Sequence, residues 1–215
     1  MNNKIIIADD HPLFRTALTA AVNQALDAPE IHEAGTIAEL QSVLEQVNSP
    51  DLILLDLHMP GAHGLSGLIF LRGQYPNVPV AVVSATDNLQ VIQRTLQHGS
   101  SGFIPKSSPL ETLKEAITRI LAGDNWLPSD LVLPEPSEAN DIESKLASLT
   151  PQQFRVLGMI SEGLLNKQIA YELEVSEATI KAHVTAIFKK LGVRSRTQAV
   201  IAMKELEIEP PKSEP

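Results

Sequence analysis

Apolar and polar positions in the first half of the chain alternate between two patterns. Three short unbroken runs, Ile5-Ile6-Ile7-Ala8, Leu52-Ile53-Leu54-Leu55 and Gly102-Phe103-Ile104-Pro105, are each followed by polar or turn-forming residues. Their brevity and their aliphatic, β-branched content predict buried parallel strands. Between them lie stretches with helical spacing, roughly 12–26, 37–47, 65–75, 89–98 and 110–121. Strands alternating with helices predict an α/β doubly wound parallel sheet, with ligands at its carboxyl edge.

Four polar residues, Asp9, Asp10, Asp56 and Lys106, directly follow these runs and so converge on that edge. Three crowded carboxylates repel one another unless a cation or a covalent change relieves them. The arrangement points to a Mg²⁺ site beside an aspartate that can be modified. For any one of these acids a solvated turn is the plainer reading. Four in register argue against it.

The pattern changes after residue 124. Residues 125–145 hold Pro128, Pro134, Pro136 and five acids, without a sustained period, and read as a linker. Trp126 and Leu127 are expected to fold back on the preceding helix. Beyond the linker the chain reads as a small all-α domain over 146–210, with a frayed tail from Glu207 and 211–215 outside the domain. Thr150-Pro151-Gln152-Gln153 is a capping box with proline at the first helical position, and Gly163 should stop that helix. Asn166 is expected to cap a short second helix and Ser176 a longer third. Ile180, Val184, Ile187, Phe188 and Leu191 form the buried face of the third helix, opposite Lys181, Thr185 and Lys189. Gly192 ends it, and Ser195 opens a fourth. A short helix, a tight connection and a longer helix with a basic-polar stripe predict a helix-turn-helix.

At 215 residues the chain has room for two modest domains. Absence of cysteine excludes disulfides, thiolate metal sites and cysteine nucleophiles. No apolar run approaches membrane-spanning length and the start lacks a signal-peptide pattern, so a cytoplasmic protein without membrane contact is expected. The net charge of −9 argues against nucleic acid until it is divided: residues 1–125 carry −6, 126–145 carry −4, 146–200 carry +3 and the remainder −2. A basic module sits among acidic neighbours.

The acidic pair Asp9-Asp10, the run Asp51 to Gly61 around Asp56, Ser84-Ala85, Gly99 and Phe103-Ile-Pro-Lys106 resemble the receiver domain of two-component response regulators. Leu149-Thr-Pro151, Glu162-Gly-Leu164, Asn166 to Ala170, Ser176 to His183 and Lys189 to Thr197 resemble the LuxR-type helix-turn-helix. Together they resemble a NarL/FixJ-type response regulator over nearly the whole chain, which implies a five-stranded, flavodoxin-like receiver sheet followed by the small all-α domain.

That resemblance implies a phosphoacceptor, Asp56, charged by a sensor histidine kinase, and no enzyme activity beyond slow self-dephosphorylation. It implies Mg²⁺ held by Asp10, Asp56 and the backbone carbonyl of His58, with Asp9 acting through water. Lys106 and Ser84 would meet the phosphoryl group, and Phe103 would follow inward as a switch; a plain core role for Phe103 stays open. His58 and Thr86 flank the site and would tune phosphoryl lifetime; His11 and His58 could suggest a transition-metal site, but no spacing supports one. Ser107 follows Lys106 where many receivers carry proline, which leaves the peptide geometry there open.

In the second domain, Lys181, Ala182 and Thr185 are implied to read base edges of double-stranded DNA. Lys189, Lys167, Thr179, His183, Arg194 and Arg196 are implied to contact its backbone. A homodimer, when phosphorylated or on DNA, and RNA polymerase are the other implied partners. The unphosphorylated acidic receiver is expected to lie near the basic stripe and compete with DNA. The main alternative is a DNA-binding regulator whose receiver serves partner contacts without phosphorylation. An aspartate-nucleophile phosphatase would need an Asp-x-Asp spacing that Asp9-Asp10-His11 lacks, and a ligand-gated regulator would need an apolar sensor pocket.

Overall fold

A computed structural model describes residues 2–128, 141–204 and 206. Five parallel strands, β1 (Lys4–Ala8), β2 (Glu30–Ala34), β3 (Leu52–Leu55), β4 (Val80–Ser84) and β5 (Gly102–Pro105), form one sheet in the order β2-β1-β3-β4-β5. Helices α1 (Pro12–Ala25), α2 (Ile37–Gln46), α3 (Ser66–Gln74), α4 (Leu89–Gln97) and α5 (Leu110–Leu121) alternate with them. The expected fold class is present, and the predicted helix ends fall within one residue of the observed ones.

The strands are buried on both faces because successive side chains point to opposite sides. Ile6, Ala8, Ile53, Leu55, Val80, Val82 and Phe103 face a layer with α2, α3 and α4. Ile5, Ile7, Leu52, Leu54, Ala81, Val83 and Ile104 face α1 and α5. Trp126 packs into the second layer and pairs with β5, its carbonyl accepting from Phe103 N at 3.1 Å. Leu127 packs instead against the first layer. Trp126 thus folds back on α5 as expected, whereas Leu127 crosses to the opposite face of the sheet.

The second domain comprises α6 (Asp141–Ala147), α7 (Pro151–Ser161), α8 (Asn166–Glu172), α9 (Glu177–Leu191) and α10 (Arg196–Lys204). Helix α6 lies in the stretch read as linker; Pro134, Pro136 and the run 137–140 lie outside the described residues, as does the tail from Glu207. Thr150 and Gln153 complete the reciprocal capping box at 3.3 and 3.1 Å. Ser176 Oγ accepts from Thr179 N at 3.1 Å, and Gly192 ends α9 at φ +73°, in the left-handed region that favours glycine. Asn166 is not the cap of α8. It is the first helical residue, and Gln168 Oε1 accepts from Leu165 N at 2.7 Å.

The two domains share one hydrophobic layer. Leu146, Leu149, Phe154 and Leu157 join the α2–α3 face of the sheet, and the rings of Phe70 and Phe154 stack. Gln74 Nε2 donates to Leu149 O at 3.0 Å, Gln41 Nε2 donates to Pro151 O at 3.1 Å, and Leu65 N donates to Leu206 O at 3.1 Å. The receiver-like domain thus seats against α6 and α7. This corrects the expected placement near the basic stripe: Lys181, Ala182, Thr185 and Lys189 all remain exposed. Apolar surface on α6 and α7 outweighs attraction between opposite surface charges, which water and salt screen.

Candidate metal centre and nucleic-acid interface

Backbone pairing brings the acidic residues together at the sheet edge. Asp56 N donates to Ala8 O at 2.8 Å, so the end of β3 is tied to the end of β1. Asp9 N donates to Ala34 O at 3.0 Å, and Lys106 N donates to Ser84 O at 2.8 Å. Each functional residue continues the ladder of its strand by one step. Among the described residues every peptide bond is trans, including the one after Lys106.

Lys106 Nζ sits between two carboxylates, 2.8 Å from Asp56 Oδ2 and 2.7 Å from Asp9 Oδ2. Asp9 and Asp56 side chains are each 1% exposed, whereas Asp10 is 30% exposed. Burial pulls the Lys106 ammonium down, but hydrogen bonds and charge from Asp56 and Asp9 outweigh it and hold the group above the ordinary lysine range. The ammonium also lies 5.0 Å from the centre of the Phe14 ring, a further cation-stabilising contact.

One cation faces three carboxylates, so the cluster is under-neutralised. Asp9 Oδ2 and Asp10 Oδ1 are sealed from water without a well-formed hydrogen bond, engaged by Lys106 Nζ and by His11 Nδ1 at 2.5 Å. Ligand atoms of Asp9, Asp10, His11 and Asp56 all lie within 4.8 Å of one another. Three converging carboxylates that share a single lysine fit a hard divalent cation. His11, set aside as a ligand for want of a metal-binding spacing, nevertheless stands in the cluster, its Nδ1 beside Asp10 Oδ1.

Ser84 is fully buried, and its Oγ accepts from Thr86 N at 3.2 Å. Thr86 is buried beside it. Phe103 is fully buried, so the inward position expected of a switch is already occupied here. His58 N donates to Asp56 Oδ1 at 3.3 Å, and its Nε2 is sealed without a hydrogen-bond partner.

In the second domain α8 and α9 meet through a turn in which Glu174 has φ +52° and Val175 N donates to Ala170 O at 3.0 Å. Ile180, Ile187 and Leu191 are buried, with Val184 and Phe188 partly so, which turns Lys181, Ala182, Thr185 and Lys189 outward. Lys181 Nζ lies 3.0 Å from Glu177 Oε1, an exposed pair that holds it weakly. Lys167, Thr179 and Arg194 are exposed and His183 half-buried. Arg196 does not join this surface. Its Nη2 donates to Ile160 O at 3.0 Å and to Leu164 O, tying the start of α10 to the end of α7 and the turn that follows it.

Comparison with known proteins agrees with both halves. Residues 5–118 match the response regulator receiver domain and residues 147–203 match the luxR family of bacterial regulatory proteins. The glycerol metabolism activator of Pseudomonas putida is 42% identical over 212 residues, covering 95% of this chain and 96% of that protein. The nitrate/nitrite response regulator protein NarL of Escherichia coli K12 is 34% identical over 201 residues, covering 92% and 93%. Among solved structures, the RcsB response regulator of Salmonella typhimurium matches with a TM-score of 0.53 at 21% identity, covering 95% of this chain and all of that one. A two-component response regulator RcsB–DNA complex matches at 0.57 and 21% identity, covering 96% and all of that chain.

Proposed function

Because the chain belongs to the response regulators that join a receiver domain to a LuxR-type DNA-binding domain, we propose that phosphorylation of Asp56 controls its pairing on DNA. The observation that carries this reading is Lys106 Nζ bridging Asp56 and Asp9 at the carboxyl edge of the sheet.

A carboxylate oxygen of Asp56 attacks the phosphorus of a phosphohistidine on a sensor kinase. The new P–O bond forms as the P–N bond breaks, and the imidazole leaves with the bonding pair and takes up a proton. Asp10, Asp56 and the carbonyl of His58 would hold Mg²⁺, with Asp9 acting through water. That cation supplies charge neutralisation for the phosphoryl oxygens. Lys106 shifts its contact from the free carboxylate to the phosphoryl group, and Ser84 turns its hydroxyl from Thr86 N toward the same oxygens. Phe103 holds the space behind Ser84. His58 and Thr86 flank the phosphoryl group and set how readily water reaches it.

The outward face of α9 is free for a major groove while the domains are docked. Control therefore does not require uncovering it. A single module of this size buries about 600–1,000 Å² on DNA and binds weakly, so pairing two copies on half-sites about one helical turn apart supplies the gain. Phosphorylation adds about 1.5–2 negative charges at the sheet edge and biases the receiver toward pairing. Bound near a promoter, the dimer would meet RNA polymerase. No helix among the described residues is long and apolar enough to cross a membrane.

Intact mass after incubation with Mg²⁺ and a small phosphodonor tests the reading. One added phosphoryl in the parent chain and none in Asp56→Asn is expected. No addition to either, with the donor shown active, would favour a regulator that works without phosphorylation.

A further inference from the structure

The segment between β3 and α3 is held from two sides. On the receiver side, Ile37 N at the start of α2 donates to Pro60 O at 3.0 Å, and a Cβ on Gly61 would lie 3.3 Å from Ile37 Cβ. The other wall is α7 of the DNA-binding domain. Gly61 N donates to Glu162 Oε1 at 3.1 Å, a bond across the domain boundary. Gly158 backs onto Gly61 so closely that a Cβ there would stand 2.6 Å from Gly61 O. That oxygen belongs to backbone, and Gly61 itself sits at φ +87°, so neither partner yields cheaply.

The same segment carries His58, three positions before Gly61, with its N–H on Asp56 Oδ1. We infer that Gly158 and Glu162 are positioning residues for the phosphoacceptor site, the DNA-binding domain bracing the loop that presents the His58 carbonyl to the cation. This rests on the metal assignment made under Proposed function. A ligand already held in its bound orientation costs less to order than one on a loose loop, so the brace raises affinity for the divalent ion. Beside the contact, a cavity of about 170 Å³ lined by Thr36, Ile37, Pro60, Gly61, Arg155 and Met159 gives the loop room to move once the brace is lost. Reciprocity follows: whatever factor docking adds to cation affinity, the cation adds to docking. The phosphoacceptor site and the DNA-binding domain are thereby coupled without any movement of α9.

The test uses the full chain and Mn²⁺ as the probe, with free Mn²⁺ read by electron paramagnetic resonance. The parent is compared with Gly158→Ala, Glu162→Ala and Glu162→Gln, each shown to be folded by circular dichroism. Removing the Gly61 partner in Glu162→Ala should weaken Mn²⁺ binding by about threefold, the factor carried by one net hydrogen bond. Glu162→Gln should bind nearly as the parent does, because its amide oxygen still accepts from Gly61 N. Gly158→Ala should weaken binding at least as much as Glu162→Ala. Equal affinity in the parent, Glu162→Ala and Glu162→Gln overturns the inference, even if Gly158→Ala does not fold. Parent-like Mn²⁺ binding in Asp10→Asn and Asp56→Asn would instead show that the metal assignment itself is wrong.

Discussion

Phe70 of α3 and Phe154 of α7 lie ring on ring, their centroids 4.3 Å apart and their planes 12° from parallel. One comes from the receiver and the other from the DNA-binding domain. Both are essentially sealed from water. Close by, Gly73 approaches α6 so tightly that a Cβ would stand 2.5 Å from Ala147 O. Ring stacking, backbone contact and a continuous apolar layer are features of a domain interior rather than of a transient junction.

Truncating the stack tests that description. Phe70→Ala should cost about 3–5 kcal/mol, the range for removing a buried aromatic ring. Calorimetry should show one transition for the parent and two for the variant, because the ring is shared. A parent chain that already melts in two well-separated steps would refute a common interior.

Lys106 makes a pH prediction whose sign is fixed by its partners. Its ammonium is held above the usual lysine value of 10.5, so its contribution to stability is fully present below about that pH. It is lost as pH rises through the higher value in the folded protein. The stability difference between the parent and Lys106→Met should be constant from pH 7 to 10 and shrink above it. Denaturant unfolding at each pH measures the difference; a fall already between pH 7 and 9 would contradict the assignment.

Asp10 is the most exposed of the three carboxylates and the least tied to Lys106. Without divalent cation, Asp10→Asn should raise stability by about 0.5–2 kcal/mol, as relief of like-charge crowding does. The parent should gain stability on adding Mg²⁺ and the variant should not. Thermal melts with Mg²⁺ and with a chelator decide this; an equal Mg²⁺ response in both would exclude Asp10 as a ligand.

On α9, Lys181→Ala and Lys189→Ala should each weaken DNA binding; Lys189→Ala should lower the salt slope by about 0.9, the value for one phosphate contact, whereas Lys181→Ala should relax base preference. Folding stability should change by less than about 0.5 kcal/mol because both side chains are exposed. Thr185→Ala should relax base preference with little effect on the slope. Titrations at several salt concentrations separate the two. Arg196→Ala should instead destabilise the domain, since the bonds from α10 to the Ile160 and Leu164 carbonyls are lost.

The sheet edge was legible in the sequence because a buried parallel strand announces itself as an apolar run, and the residue after it must lie at the carboxyl end. Strand β2 was not, for its sequence Glu-Ile-His-Glu-Ala reads as polar. It pairs only with β1 at the sheet margin and owes its existence to that neighbour. Helix α6 was equally hidden, lying in an acidic, proline-rich stretch and stabilised by packing on α3. Domain seating could not be read either. Phe154 and Leu157 look like the ordinary buried face of a helix, and nothing in their spacing says that part of their cover comes from another domain. Arg196 shows the same limit, since a basic residue near a DNA-reading helix and one that satisfies carbonyls are identical in a string of letters.

Trp126 closes β5 on the side of the sheet away from the DNA-binding domain, among Ile117, Ile120 and Leu113, and it is the chain's one tryptophan. The protein therefore carries a single indole fluorophore whose surroundings belong to one face of the sheet. Its emission should follow melting of the α1–α5 side and stay indifferent to whether α7 is seated. An experimenter watching that light sees half of the molecule, and can choose a second probe to see the rest.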